Sequence, residues 1–395
     1  MNFVVLAHSF PPENGPECFC SGRFASALAA TGHAVHVVTL ERKTPRVSRE
    51  VYDVLVDPRI KVTTFADRGV EKPFWSRLRF FTHEPSSANF VNGINALKSV
   101  LSQYENPILV SRANPIASHI IAWHCRKLAH KWIAHFSDPI PFLGTSTLSF
   151  RVKSWMSRFW VRRTLRAADG VSLTNENVKR FYTDTYGRDF TNKPVVVAAH
   201  VGEPALTGSS VFSRKTNAAM IVHCGTLTGS RGARQIVEAV ASLNENGVPA
   251  EFYEVGDLDP ALKDFFAGAR YVQVLPNLAP DYGIAVSAQA DVVFIPDLET
   301  SLPYAPFLPS KFVYQLFYDK PIVVFTRNGS TMEKLVRRYP QAGVFFADCK
   351  QPQALKEALL QAIQFDRSKM EREAIRSLFT RQTVGGTFAR FVAEI

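Results

Sequence analysis

A lysine in the first turn of a helix needs a reason, because the free N–H groups there already concentrate positive charge. The stretch PFLPSKFVYQLFYDKPIVVF, residues 306–325, puts Lys311 at such a position. The spacing predicts a tight loop ending at Pro309-Ser310, a helix opening at Ser310-Lys311 and stopping at Asp319-Lys320, then a buried strand from Pro321 to Phe325. Ser310 is the expected N-cap, its hydroxyl accepting from a first-turn N–H. Two readings fit: both residues face a phosphate, or this is an ordinary strand–helix–strand unit with a solvated lysine. A second stretch of this kind is GTLTGSRG, residues 225–232, between the apolar run Met220–Cys224 and an amphipathic helix from Ile236 to Leu243. A glycine-rich turn entering a helix cradles phosphate when a cation accompanies it. Gly225 and Thr226 open that turn and Arg231 supplies the cation. Arg231 and Lys311 converging on one pyrophosphate make a more specific pattern than either alone.

Further candidates sit at the ends of apolar runs. Asp138, in HFSDP, falls just past the carboxyl end of a strand, where it either points into a ligand cleft or caps the next segment; His135 lies within that strand as a core residue. The loop HSFPPENGP, residues 8–16, lacks GxGxxG, which argues against a dinucleotide-dependent oxidoreductase. Its Gly15 either lets backbone approach a phosphate or serves a turn. Cys18 and Cys20 form a lone CxC with no second pair, so they read as structural, and no metal site is expected.

The segment 150–168 carries Arg151, Lys153, Arg158, Arg162, Arg163 and Arg166, and no acidic residue lies between Asp138 and Asp169. Val152, Trp155, Met156 and Phe159 recur at helical spacing. A basic amphipathic helix with Trp and Phe fits an anionic membrane surface, or a helix packed on the sheet with a solvated basic rim. FWSRLRFF, residues 74–81, is a second aromatic and basic patch. Residues 1–200 hold 26 Lys+Arg against 15 Asp+Glu, which is the whole of the chain's net charge of +11. Such asymmetry points to a polyanion or an anionic membrane; no nucleic-acid module is visible.

The elements that must position these residues are legible as apolar runs. In the first half they are Phe3–Ala7, Ala34–Leu40, Ile60–Phe65, Pro107–Ser111, Trp132–Phe136, Val171–Thr174 and Pro194–Ala199. In the second they are Met220–Cys224, Glu251–Val255, Tyr271–Leu275, Asp291–Ile295, Pro321–Phe325 and Gly343–Ala347. Strands without strict alternation, separated by helical stretches, predict parallel sheets covered on both faces. Twice over, they predict an α/β protein of two doubly wound Rossmann-like domains. The expected division is 1–201, a linker at 202–217, a second domain at 218–375, and a final helical segment, 376–395, interrupted at Gly385-Gly386 and returning to the first domain. With 395 residues, 46% hydrophobic and 21% charged, the chain is globular. No window reaches the roughly 18 apolar residues of a membrane span. With a strand read from Asn2 to Ala7 no signal peptide is expected, and five cysteines argue against a disulfide framework. A cytoplasmic protein, peripheral on the inner face of the membrane, is expected.

Together these motifs resemble the GT-B-fold glycosyltransferases of family 4, in particular the bacterial group that builds surface polysaccharides on lipid carriers. The resemblance spans nearly the full length. It rests on VVLAHSFPPENGP, LAATGHAVHVVT, CGTLTGSRG, ADVVFIP at 290–296 and PSKFVYQLFYDKPIVV. It implies two domains facing across a cleft, and a retaining transfer from a nucleotide-diphosphate sugar to a hydroxyl of a lipid-linked glycan acceptor. The donor is expected in the C-terminal domain and the acceptor on the N-terminal one, with no metal and no other cofactor. By position, the loop at Gly15 closes over the donor phosphates. Arg231 and Lys311 bind them, Ser310 adds its backbone N–H, and Pro276-Asn277 flank the base. Trp155, Arg158, Phe159 and Arg162 meet the membrane or acceptor.

Two positions depart from the family. Tyr314 stands where a glutamate usually holds the ribose hydroxyls, and a phenol cannot accept two of them as a carboxylate does. Ser137 replaces a frequent histidine, which leaves Asp138 to contact the acceptor or the reacting sugar. No second carboxylate is placed to act as a nucleophile, so no sugar ester of the enzyme is expected. Tyr314 also motivates an alternative, a catalytically silent relative that binds a nucleotide sugar or partner enzyme; a sugar-nucleotide epimerase is a third reading.

Overall fold

The computed structural model describes residues 1–42, 46–67, 87–113, 115–141, 148–203, 205–206, 212–214, 216–275, 280–300, 302–351 and 353–395. It divides into two compact units, Met1–Val201 with Phe379–Ile395, and Gly202–Leu378.

The first unit holds a seven-stranded sheet. Its strands are β1 (Asn2–Leu6), β2 (Ala34–Glu41), β3 (Lys61–Ala66), β4 (Ile108–Ala113), β5 (Lys131–Phe136), β6 (Gly170–Leu173) and β7 (Val195–Val197). Their order is β3-β2-β1-β4-β5-β6-β7, and every pairing is parallel. The central strands β1 and β4 are buried almost throughout because helices cover both faces. Strand β3, at the edge, departs from the apolar reading: only Phe65 is fully buried there. The final helix, Arg381–Glu394, lies against helix Pro16–Ala30 and runs through Gly385-Gly386 without a break. Gly385 serves close packing instead, since a Cβ there would sit 2.3 Å from the Ala27 carbonyl oxygen.

The second unit holds six parallel strands in the order β10-β9-β8-β11-β12-β13. They are β8 (Ala219–Cys224), β9 (Ala250–Val255), β10 (Val272–Leu275), β11 (Val292–Pro296), β12 (Ile322–Thr326) and β13 (Val344–Asp348). Ile236, Leu243, Phe252, Phe294, Phe325 and Leu359 form the centre of its core. Residues from Gly202 onward pack within this unit: Leu206 gives its N–H to the Tyr318 hydroxyl, which donates to the Leu206 carbonyl, both at 2.9 Å.

The helix after β11 is shorter than its sequence suggests, Ser310–Gln315. Its exit tightens into three-residue bonds, Phe317 N–H to Tyr314 and Tyr318 N–H to Gln315. The Leu316 carbonyl beyond it accepts from Arg376 Nε at 2.6 Å. Arg372, 3% exposed, donates to the carbonyls of Tyr318, Lys320, Ala342 and Gly343. Burial pulls its pKa down to about 9.

In each sheet the strand order reverses once, between β1 and β4 and between β8 and β11. The crevice beyond the carboxyl ends of strands at such a reversal is where open α/β sheets bind ligands.

Candidate functional site

Strand β8 ends at Cys224 and hands the chain to Gly225, whose φ of +142° lies outside the range of ordinary L residues. A Cβ on Gly225 would fall 1.5 Å from the Lys311 Nζ, so the glycine is what lets the ammonium lie against the main chain. A second glycine at the same φ, Gly256 after β9, supports the first: its Cβ would sit 2.2 Å from the Gly225 carbonyl oxygen. The turn continues through Leu227, fully buried, and closes where the Arg231 N–H meets the Thr228 carbonyl at 2.9 Å. The Arg231 guanidinium folds back to donate to the Thr226 carbonyl at 3.3 Å. Gly232, at φ +71°, then starts helix Ala233–Glu245 against the Phe325 ring.

Lys311 thus lies mostly out of water and beside Arg231. Desolvation lowers its pKa, and the guanidinium lowers it further, while Cys224 and Glu254 act the other way. Behind it, His223 Nδ1 lies 2.7 Å from Glu254 Oε2 with both side chains shut off from solvent. Burial pushes the glutamate well above the carboxylate range and the histidine well below the imidazole range. Lys311 opposes the rise on Glu254, so the pair and the ammonium are electrostatically linked. Past β11, Asp297 accepts from the Thr326 hydroxyl at 2.8 Å and the Leu298 N–H at 2.7 Å. Burial raises its pKa to about 6 against the pull of Arg231. The Glu299 N–H bonds the Ser230 carbonyl at 2.9 Å, which ties this loop to the glycine-rich turn. A small pocket opens between them, lined by Gly229, Ser230, Asp297, Glu299, Thr326 and Arg327.

At the reversal between β8 and β11 there are then two cations on a glycine turn, an arrangement suited to a diphosphate. Ser310 does not cap its helix: Pro309 holds the N-cap position and no side chain caps it. The prolyl carbonyl takes the Phe312 N–H at 3.0 Å, a tight first turn that leaves the Ser310 hydroxyl no capping role. Tyr314 is half-buried in that helix. Pro276 and Asn277 lie outside the described residues, as does the patch 74–81.

In the first unit, Gly15 is the N-cap of helix Pro16–Ala30, in extended backbone, and a Cβ there would meet only Cys18 Sγ at 3.7 Å. Its loop is held by Arg42, which donates to Ser9 and to Glu13 at 3.1 Å. Asp138 is half-buried after β5; its carbonyl accepts from the Tyr182 hydroxyl at 3.3 Å, and its carboxylate acts on Glu17. In helix Leu148–Ala167, Met156 turns inward with Val161 and Leu165. The expected apolar face is therefore split: Val152, Trp155 and Phe159 stay exposed at 37%, 64% and 42%. Arg158, Arg162 and Arg166 are exposed beside them, the last two paired with Asp189 at 3.7 and 2.9 Å. Among the described residues no helix is long and apolar enough to cross a membrane.

No family model and no curated protein matches the sequence. Solved structures do match over the whole length. Sucrose-phosphate synthase from Thermosynechococcus elongatus superposes with a TM-score of 0.65 at 14% identity, covering 100% of this chain and 99% of that one. HepE from Anabaena, in complex with UDP and glucose, gives 0.63 at 15% identity with 100% of both chains covered. WaaG, a glycosyltransferase of lipopolysaccharide biosynthesis, gives 0.57 at 13% identity and 99% of both. The fold is GT-B. Two doubly wound Rossmann-like sheets of seven and six parallel strands are its substance here. Within this GT-B chain, sequence reasoning missed Glu17, Arg112, Glu254 and Asp297. Charged residues inside or at the ends of otherwise apolar strands, as in PILVSRA and EFYEV, were the available signal for Arg112 and Glu254.

Proposed function

We propose that this chain is a glycosyltransferase of the family 4 type. It moves a sugar, with retention, from a nucleotide-diphosphate donor to a hydroxyl of a lipid-linked glycan during polysaccharide synthesis on the cytoplasmic face of a membrane. The observation that carries the reading is Lys311 seated on Gly225 beside Arg231. When the bond between the anomeric carbon and the diphosphate breaks, negative charge develops on the leaving oxygen. Fixed cations in a site poor in water stabilise that charge without reorganising. Lys311 and Arg231 repel one another in this site, and an anion bound beside both relieves that repulsion. These cations supply the counter-charge, so a chelator is expected to leave turnover unchanged. Support for the donor class comes from HepE, whose structure holds UDP, and for the glycan context from WaaG.

The membrane part of the proposal rests on helix Leu148–Ala167. Exposed Trp155 and Phe159 among arginines suit the boundary between acyl chains and anionic headgroups. Incubation with UDP-, GDP- and ADP-sugars tests the reaction: slow release of nucleoside diphosphate is expected. Binding without release would instead favour the silent relative suggested by Tyr314. Flotation with anionic liposomes at low salt tests the membrane part, and protein left in the dense fraction would remove it.

A further inference from the structure

Strand β9 buries a carboxyl in the middle of an apolar sheet. Glu254, with no exposed surface, pairs in register with His223 of β8, so both side chains lie on one face. His223 Nδ1 meets Oε2 at 2.7 Å, and Oε1 has no hydrogen-bond partner among the described residues. A buried carboxyl with an unmet oxygen costs stability, and an apolar residue of similar volume would not. Packing alone gives no reason for it. The charge that faces it is Lys311. Gly225, against which the Lys311 Nζ lies, is two residues past His223, about 7 Å further along the chain. The ammonium acts on both members of the pair, and Arg231 repels it from the turn. Two other groups do not serve as its counter-charge. Cys224 shares a hydrogen bond with Ser287 at 3.1 Å, and burial pushes its thiol up to about 11, so it stays uncharged at neutral pH. Asp297 answers Arg231 instead. Glu254 is the carboxyl left to Lys311.

We propose that Glu254 is a positioning residue for the anion site, holding the Lys311 side chain over the glycine turn as a charged ammonium. A lysine beside an arginine and out of water loses its proton readily, and an ionised carboxyl behind it opposes that loss. Neutral His223 donates its Nδ1–H to the carboxylate and so favours the ionised form. The charged and titratable groups around Lys311 are Arg231 from the turn, Cys224 from β8 and Glu254 from β9; those around Glu254 are His223 and Lys311 itself. That the anion is a donor diphosphate rests on the transferase reading; the pairing of Glu254 with Lys311 does not.

Lysine side-chain NMR on the free chain tests this without a ligand, Lys311 being the signal absent from Lys311→Ala. Glu254→Gln keeps the shape and removes the charge, and it is expected to lower the Lys311 titration midpoint by about one pH unit or more. Glu254→Met, apolar and of similar length, takes its place if the glutamine variant fails to fold. Inorganic pyrophosphate titrated into the same proteins by calorimetry gives the second readout. Below both midpoints the two proteins bind it alike. Above them the variant binds about tenfold more weakly than wild type, because only the charged fraction is competent. Equal lysine midpoints in wild type and variant, or a loss of affinity that is the same at every pH, would overturn the proposal. Failure of pyrophosphate to bind wild type would count against the proposed function, while the lysine titration still decides the role of Glu254.

Discussion

At the reversal of the second sheet, Lys311 and Arg231 gather over a glycine turn, with the buried His223–Glu254 pair behind Lys311. At the reversal of the first sheet, in the same strand order, a carboxyl, a guanidinium and imidazoles hold one another. The backbone plan is shared; the side chains differ, two cations at one crevice and a mixed-charge cluster at the other. The basic excess of the first half, moreover, does not collect at its strand ends. Much of it lies on the outer face of helix Leu148–Ala167, among exposed aromatics.

Removing a cation from the second reversal is the strongest test of that contrast. Lys311→Ala or Arg231→Ala is expected to lower kcat/KM for donor turnover by about two to three orders of magnitude, without loss of fold by circular dichroism. Gly225→Ala should match Lys311→Ala, because its Cβ lands 1.5 Å from Nζ. If these variants turned over like wild type, the anion assignment would fail.

Next comes the support beneath the turn. Gly256→Ala places a Cβ 2.2 Å from the Gly225 carbonyl oxygen at a φ of +142°. A loss of about 1–3 kcal/mol in urea unfolding is expected. An unchanged midpoint would show that the two glycines are not a sterically coupled pair.

The outer face of the first unit should respond more weakly. Arg158→Glu removes one basic residue from the exposed rim, and a basic residue near an anionic surface is worth about 1 kcal/mol. Roughly a fivefold or greater fall in liposome partitioning is expected, with the melting temperature unchanged. Retained partitioning would move the docking surface elsewhere.

A separate readout, stability against pH, concerns Glu17. Its pKa in the folded chain is about 8, against an ordinary value of 4.5, because burial outweighs the pull of Arg112. A raised pKa contributes stability that is complete below the unfolded value and is lost as pH rises through the folded one. The melting temperature should therefore decline between about pH 4.5 and 8, and Glu17→Gln should flatten that decline. Parallel curves would show that Glu17 titrates normally.

The strands were legible because a parallel strand covered on both faces must be apolar along its length, whichever way it is read. The glycine-rich turn and Lys311 were legible because each stands out locally, as glycines entering a helix beside an arginine and as a cation at a helix start. Ser310 was misread since a proline before it can take the N-cap position, which no hydroxyl reveals. Met156 was misassigned because helical spacing groups neighbouring residues without saying where the stripe facing the core begins.

The sequence by itself determined the two α/β layers and the residue types able to meet a diphosphate, since both follow from local pattern. Only the tertiary structure decided that Gly225 clears space for the Lys311 ammonium, and that His223 meets Glu254 behind it. It alone brought Glu17 to Arg112 across 95 residues. Such pairings depend on which strands become neighbours and on how much water is excluded between them, and neither is written in any short stretch of chain.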